Sequence, residues 1–514
     1  MALLTNIIVF VLVLGIIILI HEGGHLYFAK KAGILCHEYA IGMGPVLWQT
    51  KKDDTLYSIR AIPIGGFVSM AGEGVSDAMF KNGDTIALLF DETKKVQEIV
   101  LFEEGKYDVK GVVQSFDLYG KDMATLYIEI DDVKYEVNRD AMYRFKEKQT
   151  MLITPEEKSF ESKTLKQRFL TIFGGPLMNF ILAFVIFFLV GFFIQKPNYD
   201  SNQIGDVSEH SLASSLNLTS GDKIISINGE TINDWYDLSS VMGDNLSTNI
   251  DLSVEKNDGT IENYNDKVVA TYIQTAGIVN FDEDFNYYSD DAIVGQSNGR
   301  AASAGLKSGD LITEVNGETI NNWDDLIAYF KIHTTGEVTI TYLRDGNSED
   351  TTYELISEAD LEKLGSQNII YQIGVTSSSQ FNLGYSLLYA PKEFGSNVAE
   401  VFTTIGLLFG GSSIGVSDLS GPVGIFQLVS QVKSNGFISL LVFMGFLSIN
   451  IGILNLLPIP ALDGGRLVFL GIEAVTKKPL NRKVENYANL IMFFILMGLI
   501  LFVTFNDVFR LING

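Results

Sequence analysis

The sequence predicts a polytopic α-helical membrane protein with four spans. Attached to the spans are a membrane-associated β-loop, a β-rich insertion and two copies of a small α+β domain. Three observations predict this class. Apolar stretches long enough to cross a bilayer recur near both ends, and hydrophobic residues make up 47% of the 514 residues. The formal net charge is nevertheless −25, which places acidic soluble segments between the spans. A fifteen-residue pattern starting at Gly221 returns at Gly309. A chain this acidic repels phosphates, so nucleic acid is not an expected partner. Its one cysteine, Cys36, excludes an intrachain disulfide framework.

The first element is a helix over residues 4–33. Met1 to Asn6 contains no basic residue and no small-residue cleavage site precedes His21, so an uncleaved span is expected rather than a signal peptide. No charge occurs from Ile7 to Ile20, and the run ends in His21-Glu22-Gly23-Gly24-His25. Imidazoles four residues apart share a helix face, so His21 and His25 can hold one metal ion. Glu22 lies one position on and is free to take a proton from water. An interfacial histidine pair closing a membrane helix would give the same letters, but ionisable groups at membrane depth are functional candidates by default. Lys30, Lys31, Lys51 and Lys52 follow the apolar run, so the N-terminus is expected outside and the site towards the cytoplasm.

Residues 55–72 read as a β-hairpin or looped strand, with Pro63 and Gly65-Gly66 marking an edge or bend. Such an edge can add an extended substrate as a strand, although an ordinary surface hairpin would look alike. This completes a first segment, 1–73. Residues 74–160 are polar, with short alternating runs such as Leu126 to Ile130, and read as a cytoplasmic β-rich insertion. Segment 161–196 holds the second span, with Lys163, Lys166 and Arg168 at its cytoplasmic end. Within it, Gly174-Gly175-Pro176 permits close approach, and Asn179 is a polar group at membrane depth.

Residues 197–380 are polar and expected outside. Gly221-Asp222-Lys223-Ile224-Ile225 to Trp235 recurs as Gly309-Asp310-Leu311-Ile312-Thr313 to Trp323, an offset of 88 residues that suits a duplicated small domain. Each copy places Asn-Gly in a strand–turn–strand setting. The pattern resembles PDZ domains, which hold peptide ends by strand addition; the copies are placed at 197–285 and 286–380. Segment 381–435 reads as an amphipathic surface helix followed by a turn at Ser420-Gly421-Pro422-Val423-Gly424. Segment 436–514 holds the third span, at about 436–457, and the fourth, at about 485–505. The third carries Asn450 and Asn455 and breaks at Pro458 and Pro460, which is tolerated at depth only beside protein or a cavity. Asp463 follows directly and is the best candidate for a third metal ligand, although Asp-Gly turns and N-caps are common. Arg466, Lys477, Lys478, Arg482 and Lys483 mark a cytoplasmic connection, which returns the C-terminus to the outside.

Taken together, His21-Glu22-Gly23-Gly24-His25, Gly65-Gly66-Phe67, Gly175-Pro176-Leu177-Met178-Asn179, Ser420 to Gly424 and Asn455 to Gly465 resemble the site-2 protease family of intramembrane zinc metalloproteases. Within it the chain is similar to the PDZ-bearing bacterial branch that includes regulator-of-sigma-E protease. The resemblance implies one zinc ion held by His21, His25 and Asp463, with Glu22 as general base. It also implies substrate contacts from Asn179 and Asn455, beside which Gly65, Gly66, Pro458 and Pro460 are further candidates. The implied substrates are single-span membrane proteins such as anti-sigma factors, and signal-peptide remnants. The implied location is a bacterial cell membrane, with the PDZ-like copies outside. The rival expectation is a non-catalytic membrane scaffold that binds partners through its PDZ-like copies.

Overall fold

The structure, a computed structural model, describes residues 2–72, 79–102, 107–146, 149–243, 247–282, 284–478 and 480–513. The boundary expected at 73/74 lies outside the described residues. Among the described residues four helices are long and apolar enough to cross a membrane: Leu3–Lys31, Leu165–Val190, Phe437–Leu456 and Lys483–Phe509. The chain divides into two compact units, residues 1–185 with 442–496, and residues 186–441 with 497–514.

In the first unit, helix α1 runs over Ala2–Lys31. Val13, Ile17, His21, His25 and Ala29 are buried at four-residue spacing, while Leu12, Ile16 and Leu19 are exposed. A single inward row therefore carries both imidazoles, and the lipid-compatible side chains take the other faces. The helix stops at Gly33 (φ 68), where Gly33 N–H reaches Lys30 O and Ile34 N–H reaches Ala29 O. This is a Schellman arrangement that only glycine adopts cheaply. Two long strands follow, β1 (Cys36–Lys52) and β2 (Thr55–Met70). They fold back so that Ala40 pairs with both Ser58 and Phe67, and Trp48 pairs with Ile59. The result is a four-segment sheet with 66–70 at one margin.

The insertion forms a six-stranded sheet of β3 (Thr85–Phe90), β4 (Val96–Val100), β5 (Val109–Asp117), β6 (Tyr127–Ile130), β7 (Val133–Lys146) and β8 (Gln149–Leu152). Leu88, Ile99, Ile128, Ile130 and Ile153 fill its core. Helix α2 (Leu165–Val190) then begins at a capping box. Gln167 N–H donates to Thr164 Oγ1, and Thr164 N–H donates to Gln167 Oε1.

Two expectations change here. The stretch after Asp463 is no loop but a helix, Asp463–Thr476, which buries Gly464, Gly465 and Leu470. In the second unit, the turn expected at Ser420 to Gly424 is the start of a helix, Pro422–Ser434. Proline is well suited to a first helical turn, so the letters that suggested a turn there mark a beginning. Segment 383–409 is helical throughout, with Pro391 inside it.

In the second unit each repeat builds a four-stranded antiparallel sheet. Lys223–Ile227, Glu230–Thr231, Asn249–Glu255 and Ile261–Val268 form one; Leu311–Val315, Glu318–Thr319, Glu337–Arg344 and Asn347–Glu354 form the other. The repeats also exchange strands. Ile204–Val207, which leads the first copy, pairs with Val375–Ser377, which trails the second. Gln296–Ser297, which leads the second, pairs with Ile278–Val279, which trails the first. The matching bonds Ser208 N–H to Gly374 O and Asn298 N–H to Gly277 O close both junctions. Ala270–Ile273 pairs with Ile369–Gln372 between them. One continuous core, including Ile204, Ile224, Val254, Trp323, Phe330 and Ile373, runs through both copies.

Candidate metal centre

The site lies within the first unit, where three elements converge. Helix α1 supplies His21 and His25, both buried. Their Nε2 atoms are 3.3 Å apart. The third partner arrives on a short connection. The third span ends at Leu456, and the chain turns through 457–462 with Ala461 at φ 74. Ala461 N–H is held by Asn489 Oδ1 at 3.0 Å. Gly464 and Gly465 lie so close to the carbonyls of Leu456, Leu457 and Ile459 that neither admits a Cβ. Asp463 is thereby fixed as the first residue of its helix. Its Oδ2 is 3.3 Å from His21 Nε2 and 3.4 Å from His25 Nε2.

Helix α2 braces this arrangement. Arg168 grips Glu473, on the Asp463 helix, through two bonds of 2.8 and 3.0 Å. The carbonyl of Gly174 meets the backbone of Gly24 with no room for a methyl group, so α1 and α2 cross at glycine. At Gly175 a Cβ would overlap His25 Nε2 and come within 2.8 Å of His21 Nε2. Ser448 Oγ donates to Asn179 O at 2.9 Å, which ties α2 to the third span.

The donor set suits a divalent cation. His25 Nδ1–H donates to Thr171 O at 2.8 Å, which leaves a lone pair on Nε2. That lone pair faces the Asp463 carboxylate, and Oδ2 is buried with no hydrogen bond of its own. Electron-rich atoms at 3.3–3.4 Å repel unless a proton or a cation lies among them, and one divalent cation satisfies all three at once. A tetrahedral ion with bonds of about 2.0–2.1 Å has edges of about 3.3–3.4 Å, which is the spacing found. Among the described residues, His21, His25 and Asp463 are the one cluster of potential ligand atoms close enough to share a metal.

The other residues singled out by sequence fall around this centre. Glu22 follows His21 on α1 and faces Gly66, where an added Cβ would stand 3.0 Å from Glu22 Cγ and from Ile18 Cγ2. Gly65 (φ 77) precedes it on the same sheet margin. Asn179 is fully buried against His21. Asn455 donates to Ile451 O at 3.0 Å within its own helix. Pro458 is exposed and Pro460 half-buried on the connection to Asp463. Sequence reasoning missed Thr171, which acts through its backbone and leaves no signature. It also missed the specific part of Gly175, which the Gly174-Gly175-Pro176 run hinted at only as close approach.

The profile of Peptidase family M50 matches residues 9–499. The chain belongs to peptidase family M50. This family now stands where the sequence showed a resemblance, and it makes the chain an enzyme of the protease class. The chain is 33% identical to the zinc metalloprotease RasP of Shouchella clausii, with 99% of this chain and 100% of the relative covered. It is 33% identical to the protein of the same name from Bacillus licheniformis, over 99% and 100%. To the regulator of sigma-W protease RasP of Bacillus subtilis it is 30% identical, over 98% and 99%. The M50 match takes in both halves of the centre, His21 to His25 and Asp463.

Proposed function

We propose that this M50 peptidase is a zinc metalloprotease that cuts single-span membrane proteins within or near their membrane segment. The observation that carries this reading is the convergence of His21, His25 and Asp463 beside Glu22 on membrane-competent helices. His21, His25 and Asp463 would hold one zinc ion. When bound, zinc polarises the scissile carbonyl and acidifies water. Glu22 takes the proton of the attacking water as its oxygen bonds the carbonyl carbon, then delivers that proton to the amine nitrogen as the C–N bond breaks. A helical substrate hides its backbone, so it must be held extended. Segment Gly65 to Phe67 supplies a margin for strand addition, and it lies against Glu22. Asn455, in the last turn of the third span, and Pro458 and Pro460, on the turn that leads to Asp463, are proposed as further contacts to the same extended segment.

The name of the Bacillus subtilis relative supports a membrane anti-sigma factor as one substrate. The positive residues named above support a cell-membrane location with both termini and the PDZ-like repeats outside and the metal centre towards the cytoplasm. The repeats then read already trimmed peptide ends. Their two trailing strands differ. Ile278–Val279 is paired on both edges, with Ala270–Ile273 and with Gln296–Ser297. Val375–Ser377 pairs along one edge only among the described residues. A peptide can add there and not at the other.

The test is cleavage of a single-span model substrate by purified protein. Wild type is expected to cut it, and Glu22→Gln to leave it intact while keeping its zinc. Identical products from both would replace the protease reading with that of a membrane scaffold.

A further inference from the structure

Helix α2 contributes no ligand, yet both ligand imidazoles lean on it. Thr171, Gly175 and Asn179 form an i, i+4, i+8 row on this helix, and each meets a ring. The Thr171 carbonyl accepts from His25 Nδ1–H at 2.8 Å. Gly175 leaves the space that the two Nε2 atoms enter. Asn179 sets its amide against His21 Nδ1 at 3.2 Å.

The Asn179 side chain is fully buried, and its amide nitrogen is the atom that faces the ring. Its Oδ1 is buried without a hydrogen-bond partner. A neutral imidazole carries one N–H. Donation from the amide nitrogen to Nδ1 would put the ring proton on Nε2, between His21 and Asp463, where a metal ligand must offer a lone pair. A half-turn of the amide frees His21 Nε2 for a metal, with the amide nitrogen taking the buried position that Oδ1 held. Oδ1 then accepts from Nδ1–H, the buried oxygen gains a partner, and Nε2 presents its lone pair to Asp463 and His25. The two orientations have the same shape, so the lone pair a metal ligand must offer at Nε2 decides between them.

We propose that Asn179 is a positioning residue for the metal centre: its Oδ1 accepts from His21 Nδ1–H and fixes the tautomer in which Nε2 is the ligand atom. Helix α2 thereby sets the proton pattern of both imidazoles, through a backbone carbonyl for His25 and a side-chain amide for His21. The inference rests on the zinc reading above. It also moves Asn179 from the substrate to the metal, because its side chain is fully buried and its oxygen is spent on His21.

The test uses purified full-length protein. Zinc affinity is measured by chelator competition, and kcat and KM on a single-span substrate are measured at saturating zinc. Asn179→Leu removes the acceptor and is expected to weaken zinc binding about 10- to 100-fold, the range seen when outer partners of ligand histidines are lost. Its KM is expected to stay unchanged once zinc saturates. Asn179→Asp keeps an acceptor oxygen and is expected to hold zinc within about threefold of wild type. If Asn179→Leu does not survive purification, Asn179→Ser serves as the loss variant, since its oxygen is too short to reach Nδ1. Wild-type zinc affinity in the loss variant, or a raised KM at saturating zinc, would overturn the inference and return Asn179 to the substrate. Equal loss in Asn179→Asp would overturn it too. A wild-type protein that binds no stoichiometric zinc would instead defeat the zinc reading itself, and the two failures are thus separable.

Discussion

At the scale of single residues the centre is built as much from missing side chains as from ligands. Gly24 and Gly23 are neighbours with opposite surroundings. A methyl at Gly24 would collide with the Gly174 carbonyl, whereas one at Gly23 would meet only Tyr39 Oη at 3.8 Å. Gly24→Ala is therefore expected to destabilise the protein by about 1–3 kcal/mol. Gly23→Ala should be close to neutral or slightly stabilising in the helix. Thermal unfolding in detergent compares them, and equal effects would contradict the crossing described. Gly175→Ala is expected to lower zinc affinity at least about tenfold by pushing on both imidazoles; zinc titration reads this directly. His21, Glu22 and His25 were legible in the sequence because all three sit on one helical turn and chemistry fixes their spacing. Asp463 was legible as a carboxylate after a broken helix and so as the best candidate for a third ligand, beside the common Asp-Gly turn, and the family resemblance implied the same role. Thr171 was not legible at all, since a carbonyl acceptor is the same in every residue.

At the scale of elements, letters that suggest a turn or a connection here begin helices. Pro422 opens a helix, and the basic residues after Asp463 flank another whose buried side is mostly glycine. Composition reports such elements poorly because small residues pack closely without adding hydrophobicity. The repeat was plain from its 88-residue offset, but periodicity cannot say which copy's strands pair. Here they pair across copies, at Ile204–Val207 with Val375–Ser377 and at Gln296–Ser297 with Ile278–Val279. Each copy alone would lose a strand partner and part of a shared core. Fragment 197–285 is accordingly expected to remain unfolded, while 197–380 unfolds in one cooperative transition. Circular dichroism and denaturant titration check this, and a stably folded 197–285 would contradict it. The unequal edges make a further expectation. A peptide with a free C-terminus should bind fragment 197–380 once per chain by calorimetry, and two equivalent sites would contradict the closed edge at Ile278–Val279.

At the scale of the whole molecule, function follows from bringing distant parts of the sequence to one place. Two imidazoles come from the first span, and a carboxylate comes from beyond the third, over four hundred residues later. The second span braces both rings. A burial pattern with one inward row on α1 and exposed apolar side chains elsewhere matches a helix that meets lipid on most faces and protein on one. Under the proposed function, that placement lets water-dependent chemistry operate inside an apolar layer, with Glu22 as the proton carrier. Metal analysis of the purified full-length protein tests this most directly. The account predicts one zinc per chain in wild type and in Glu22→Gln, and loss of that zinc in His21→Ala and in Asp463→Ala. Full zinc occupancy in Asp463→Ala, or none in wild type, would contradict it.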